Sequence, residues 1–272
     1  NIGAKDDRPP LLAHFYAGTY TRLIKKLKSH GYKVTYTAAA HSIHESRKEH
    51  ELLGIPYNYP HMTEPDLWKR YLEGYLLADR LVVPSTHSRD VMIGYGADPA
   101  KVVVIPHGVN IPDKPLAPLP SRFTVGYLGT CGAPDKGLIY LLQAWKRLNY
   151  SDATLRIAGR DSLFMHSLVS QFGGGNIELV GWADNAYDFM DSLSLYVQPS
   201  VSEGFGIEVL EALARGRLVL CSEGAGAADV LVTAGKFKSR DIDRLAALID
   251  KHRTDVVLHT GRGAEVTVER IR

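Results

Sequence analysis

The sequence predicts an α/β protein made of two doubly wound domains facing a cleft. Three observations carry that prediction. Short apolar runs rich in β-branched residues alternate with longer helical patterns along most of the 272 residues, as parallel strands buried by crossover helices require. The alternation breaks once, at "NIPDKPLAPLPS", where Pro112, Pro115, Pro118 and Pro120 deny the chain helix and central strand. With 45% hydrophobic and 23% charged residues, the chain has enough apolar material for two medium cores, one on each side of that break.

In the first domain, residues 1–111, strands are expected at about 11–17, 33–39, 80–84 and 102–106, with helices between them at about 20–30, 44–54, 66–79 and 88–94. This half shows four strands and no glycine-rich first turn, and the chain opens on Asn1, so a portion preceding Asn1 is expected. Residues 112–121 read as a stiff, extended interdomain linker. The second domain, 122–272, restarts the alternation. Its strands are expected at 123–128, 154–158, 177–180, 195–198 and 218–221, and its helices at 138–149, 162–172, 187–191, 206–215 and 242–252. Open sheets of this kind bind ligands beyond the carboxyl ends of their strands, which makes the loops after Leu128, Ala158, Val180 and Gln198 the candidate site.

Bulk properties exclude several classes. Lys and Arg number 32 against 30 Asp and Glu, so no broad positive field favours nucleic acid, and an anionic partner must be met locally. Cys131 and Cys221 lie far apart without metal-ligand spacing, which suits reduced thiols in a cytoplasmic protein. No apolar run approaches the roughly 18–20 residues that span a bilayer, so the protein is expected to be soluble or at most peripheral to a membrane. "RLIKKLKSHGYK" is the nearest candidate for a membrane-surface helix and reads better as a solvated face. No metal site is expected. "HSIHESRKEHE" fails H-E-x-x-H because Lys48 occupies the needed place, and "DID" at Asp241–Asp243 reads as a helix cap and first turn.

The chemistry concentrates in "EGFGIEVLEALARGRLV". Gly204 and Gly206 let the backbone approach a ligand, and the first-turn amides of the following helix lack intrahelical partners, which together make an anion site. At 100° per residue Glu208, Glu211 and Arg215 share one narrow stripe on an otherwise apolar helix. A carboxylate there faces either a cleft or, in the alternative reading, a solvated i,i+4 salt bridge between Glu211 and Arg215. The loop "GTCGAPDKG", from Gly129 to Gly137, offers glycines and the Lys136 cation to a diphosphate, with the dipole of the next helix behind it. It is not a Walker A loop, because Lys136 precedes Gly137 and Leu138 rather than Ser or Thr, and no G-x-G-x-x-G follows a strand.

Taken together, the lysine loop, the strand ending "IAG", then "VGW" and "VQPSVSEGFGIEVLEALARGRLVL" resemble the C-terminal domain of the retaining GT-B glycosyltransferases of family 4. The resemblance is strong over 123–221, and "LADRLVVPSTHSRDVMIGYGADPAKVVVIPHGVN" is similar to the stretch before that family's interdomain linker. It implies two Rossmann-like domains, a nucleoside-diphosphate sugar as donor substrate, no separate cofactor, and a sugar or lipid-linked acceptor. By the same resemblance Glu203 reaches the donor sugar, Glu211 takes the ribose hydroxyls, and the amides around Gly204, Phe205, Gly206 and Ile207 meet the diphosphate with Gly129, Thr130 and Lys136. Gly181 and Trp182 are placed near the base, which is read largely through backbone groups, with the Trp182 indole expected to pack rather than stack. His41, at the end of "KVTYTAAAH", would approach the donor sugar as a catalytic group alongside Glu203 and Lys136, with His44 one turn later as its rival.

Two departures bear on activity. Thr130 stands where the family usually carries arginine, leaving Lys136, helix N-termini and Arg160 to meet the diphosphate, and Ala227-Ala228-Asp229 replaces the usual Gly-x-Pro-Glu ending. Two alternatives therefore stay open: a nucleotide-sugar epimerase or phosphorylase on the same scaffold, and a non-catalytic nucleotide-sugar-binding subunit.

Overall fold

A computed structural model describes residues 11–16, 18, 20–38, 42–55, 65–130, 133–160, 163–172, 176–231 and 235–260. By its internal contacts the chain divides into two compact units, Asn1–His41 with Pro56–Pro106, and Ser42–Ile55 with His107–Arg272.

In the first unit β1 (Leu12–Tyr16), β2 (Lys33–Thr37), β3 (Arg80–Val83) and β4 (Val102–Val104) form a parallel sheet in chain order. Helix α1 (Thr21–Ser29) buries Ile24 against Val34 and Tyr36, and further along the same core lie Leu81, Val83 and Met92. The basic face of α1 is met by acids: Lys25 pairs with Glu73 at 2.7 Å and Lys28 with Asp79 at 2.9 Å. Helix α2 (Ile43–Leu52) follows β2 in sequence but packs with the second unit, whereas α3 (Pro65–Leu77) and α4 (Thr86–Gly94) complete the first.

The second unit holds β5 (Phe123–Leu128), β6 (Ala153–Ala158), β7 (Ile177–Gly181), β8 (Leu195–Gln198), β9 (Leu218–Ser222) and β10 (Lys236–Phe237), all parallel, in the order β10-β9-β8-β5-β6-β7. Five strands were expected. The sixth is only two residues long, too short to leave a periodic signal, and it is recruited by pairing with Cys221 and Ser222. Alternate side chains feed two cores: Val125, Tyr127, Leu155 and Ile157 face α5 (Leu138–Leu148) and α9 (Ile242–Thr260), while Tyr196, Val219 and Cys221 face α7 (Ala186–Asp191) and α8 (Ile207–Ala214). Helix α6 (Leu163–Phe172) covers β6 and β7. Cys221 is a buried free thiol, its pKa pushed up by burial; Cys131 lies outside the described residues.

The proline-rich stretch runs over the α7–α8 corner. Arg215 and Arg217, each 1% exposed, reach out through it: Arg215 donates to the carbonyls of Lys114 and Pro115 at 3.1 and 2.6 Å, and Arg217 to that of Ala117 at 2.6 Å. Asp191 balances this buried charge, accepting from Arg215 at 2.6 and 3.0 Å. Burial raises the Asp191 carboxyl, but its bonds from Arg215 and Lys114 outweigh that and hold it below the usual range. Among the described residues no helix is long and apolar enough to cross a membrane.

Candidate active site at the switch point of the second sheet

In the second sheet β5 lies between β6 and β8, so the chain winds one way after β5 and the other way after β8. A crevice opens at such a switch point, between the loops that leave the two strands. Gly137, with φ +72°, seats the β5 loop there: an added Cβ would fall 2.1 Å from the Pro199 carbonyl oxygen, so the close approach needs glycine. Val201 then donates to the Asp135 carbonyl at 2.7 Å. This docking delivers Lys136 to Glu203, and the two form an ion pair. Burial alone would lower the Lys136 ammonium, but the Glu203 carboxylate more than offsets it, with Asp135 and Glu208 adding to the rise.

The Glu203 turn is laced to the loop that departs from the family pattern. Glu203 N–H donates to Gly224 at 2.9 Å, Gly226 N–H to Glu203 at 3.0 Å and Ala227 N–H to Phe205 at 2.7 Å. These are backbone bonds, indifferent to the side chains replaced in that loop. Beneath the turn Tyr196 donates to the Gln198 side chain, which donates to Ser200 at 2.8 Å, fixing the end of β8 without leaving buried polar atoms unmet. Gly206, φ +89°, opens α8. The Phe205 ring is buried and meets the His107 ring edge-on at 5.2 Å, so this residue offers a ligand its backbone and not its ring.

Glu208 sits in the first turn of α8 with its carboxylate accepting from its own amide; burial raises its pKa, and Glu203 adds to the rise. One turn on, Glu211 lines a pocket of about 350 Å³ with Gly108, Val109, Asn110, Tyr187 and Ile207. Burial raises the Glu211 carboxyl as well. The expected alternative, a solvated Glu211–Arg215 salt bridge, is corrected: Arg215 is buried against Asp191 and the linker carbonyls, which leaves Glu211 facing the pocket.

Further along the rim, Gly129 N–H donates to Ala158 at 3.1 Å and Gly159 N–H to Gly181 at 2.8 Å, which lines up the ends of β5, β6 and β7. Thr130 and Arg160 are exposed on that edge. Trp182, expected to pack, is 70% exposed, following directly on the last residue of the edge strand β7. Asp241 accepts from Arg244 N–H at 2.9 Å as the cap of α9, and Asp243 pairs with Arg147, so both acids of "DID" have structural partners. His41 lies outside the described residues, and His44 is exposed on α2. Sequence reasoning missed Tyr187, Gly108, Asn110 and Asp191. Tyr187 Oη donates to the Asn110 carbonyl, so the residues just before the linker are folded back onto α7 to wall the pocket, and that long-range contact has no local signature.

Two family models match the chain: one described as glycosyl transferases group 1 over residues 122–255, and one described as glycosyltransferase family 4 over 4–112. Among curated proteins, a phosphatidyl-myo-inositol mannosyltransferase of Mycolicibacterium smegmatis is 32% identical over 156 residues, 53% of this chain and 39% of the relative. An uncharacterised glycosyltransferase of Methanocaldococcus jannaschii is 26% identical over 136 residues, 48% of this chain and 37% of the relative. The matched part thus spans less than half the length of these relatives. Among solved structures, sucrose-phosphate synthase of Thermosynechococcus elongatus aligns with a TM-score of 0.71 at 18% identity, over 90% of this chain and 65% of that one. HepE of Anabaena, in complex with UDP-glucose, aligns with a TM-score of 0.66 at 19% identity, over 90% and 70%. The two parallel sheets and these alignments define the class, a GT-B fold of two Rossmann-like units. Within it, the chain belongs to the family 4, or group 1, glycosyltransferases.

Proposed function

We propose that this protein is a retaining, metal-independent glycosyltransferase that moves a sugar from a nucleoside-diphosphate sugar to an acceptor hydroxyl. The observation that carries the reading is the grouping of Lys136, Glu203 and the start of α8 at the switch point, with Glu211 one turn along the same helix in a pocket. In this reading Lys136 and the amides of α8 take the diphosphate, Glu211 the ribose hydroxyls, and Glu203 the hydroxyls of the transferring sugar. Gly129, Thr130 and Arg160 border the phosphates, and Gly181 and Trp182 the base.

As the bond from the sugar C1 to the phosphate oxygen breaks, negative charge grows on the leaving diphosphate, and preorganised donors stabilise that charge more than they do the ground state. The acceptor oxygen bonds C1 on the face the phosphate leaves, and its proton passes to the departing phosphate oxygen, so no enzyme nucleophile is required. His41 would contact the donor sugar. A fold neighbour solved with UDP-glucose and a relative named as a phosphatidyl-myo-inositol mannosyltransferase support a sugar-nucleotide donor and admit a lipid-linked acceptor at a cytoplasmic membrane surface.

The test is a thermal-shift panel of UDP-, GDP- and ADP-glucose, repeated with Glu211→Ala and Lys136→Ala. One nucleotide class should raise the Tm of the parent and raise it far less in both variants, since only binding to the folded state stabilises. Equal shifts in all three proteins reject the assignment.

A further inference from the structure

Helix α2 carries a carboxylate that its sequence does not account for. In "HSIHESRKEHE" every turn is polar, yet the Glu49 side chain is 0% exposed. A carboxylate survives such burial only when it is paired and hydrogen-bonded. Glu49 has both: Arg240 Nε donates at 2.7 Å, a second Arg240 nitrogen lies at 2.5 Å, and Tyr140 Oη donates at 2.6 Å. Glu45, one turn earlier on the same stripe, accepts from Arg240 at 2.6 Å. Arg240 makes this clasp from a left-handed backbone, φ +69°, which a long side chain rarely adopts. At the other end of the helix the Ser42 N–H donates to Ser202 Oγ at 2.6 Å, one residue from Glu203. The helix is thus held at three points along one face, and all three anchors belong to the second unit.

We infer that Arg240 and Glu49 are positioning residues for the reaction: by clamping α2 to the donor-binding unit they keep the Ser42 N–H on Ser202 Oγ and so hold the neighbouring Glu203 turn in place. This rests on the role proposed for Glu203. The sequence places α2 in the acceptor-side domain. The clamp makes it part of the donor-side unit instead.

Two measurements decide the proposal. The first needs no activity: amide exchange of residues 43–52 in Arg240→Met and in Arg240→Met/Glu49→Gln, the latter removing both buried charges so that an unpaired carboxylate cannot unfold the unit. Protection of that helix should fall at least about tenfold in both, with α5 and α8 unchanged; undiminished protection overturns the clamp. The second follows free-sugar release from whichever of UDP-, GDP- or ADP-glucose binds the parent. Arg240→Met should leave the Kd for that nucleotide sugar within about twofold and slow release by about 100-fold, as a displacement of about 1 Å can. Arg240→Lys should restore part of the rate. Glu203→Ala combined with Arg240→Met should lose no more than Glu203→Ala alone, because both changes remove one contribution. Additive losses, or an equal loss in Kd, overturn the positioning role. A parent that binds no nucleotide sugar refutes the proposed function and leaves the exchange measurement to decide the clamp.

Discussion

Lys136 and Glu203, 67 residues apart in sequence, form an ion pair across the crevice between the β5 loop and the turn that follows β8. The cation proposed for phosphate and the acid proposed for sugar thus satisfy each other. A diphosphate bound as proposed would therefore compete with Glu203 for Lys136, while a complete sugar nucleotide would offer hydroxyls to Glu203 in exchange.

That competition predicts opposite effects on two ligands. Glu203→Gln should tighten binding of the bare nucleoside diphosphate by about tenfold, the lower end of what a hydrogen bond to a charged group contributes. It should weaken the preference for the sugar nucleotide over the diphosphate. Calorimetric titration of both ligands on parent and variant checks this, and weaker binding of both contradicts it.

Glu208 predicts a pH dependence. Burial raises its folded pKa above the ordinary value of 4.5, so its contribution to stability is fully present below that value and is lost as the pH rises through the higher folded one. Glu208→Gln should keep that contribution, making the variant more stable than the parent near neutrality and comparable near pH 4.5. Urea unfolding at a series of pH values measures the difference.

Asp191 meets two buried arginines, Arg215 and Arg217, and removing its charge should be costly. Asp191→Asn is expected to destabilise the second unit by about 3–5 kcal/mol, as breaking a buried pair from one side does. Since the folded pKa of Asp191 is depressed, its stabilisation is present above the ordinary carboxylate range and lost as the pH falls through the folded value. Denaturant midpoints of parent and variant should therefore converge in acid.

Gly137→Ala places a methyl 2.1 Å from the Pro199 carbonyl at a positive φ. It should cost about 3 kcal/mol from strain and overpacking together. It should also shift the Lys136 loop, abolishing the nucleotide-dependent rise in Tm expected of the parent. A variant with parental Tm and an unchanged ligand shift would show that the loop does not depend on this contact.

Much of the fold was legible because it rests on local patterns. Apolar runs and helical periodicity located nine of the ten strands among the described residues and the helices joining them, and glycines beside Glu203 and Lys136 marked the two loops that the sheet brings together. The helical stripe and the family resemblance singled out Glu211, but its local neighbour Arg215 suggested a surface salt bridge. That reading failed because Asp191, 24 residues away, takes the guanidinium. β10 was missed because two residues carry no period, and the exposure of Trp182 because being at a sheet edge is a property of strand order.

What the sequence by itself determined is therefore the alternation of strands and helices, the placement of glycines where the backbone must bend or approach closely, and the residue types available for phosphate and hydroxyl chemistry. All of these are set by steric and hydrophobic preferences within a few residues. Only the tertiary structure decided which charges neutralise one another: Lys136 with Glu203, Arg215 with Asp191, Arg240 with Glu49. The reason is that a buried ion is stable only beside its counterion, and the chain's crossings, not its local order, bring such partners within reach.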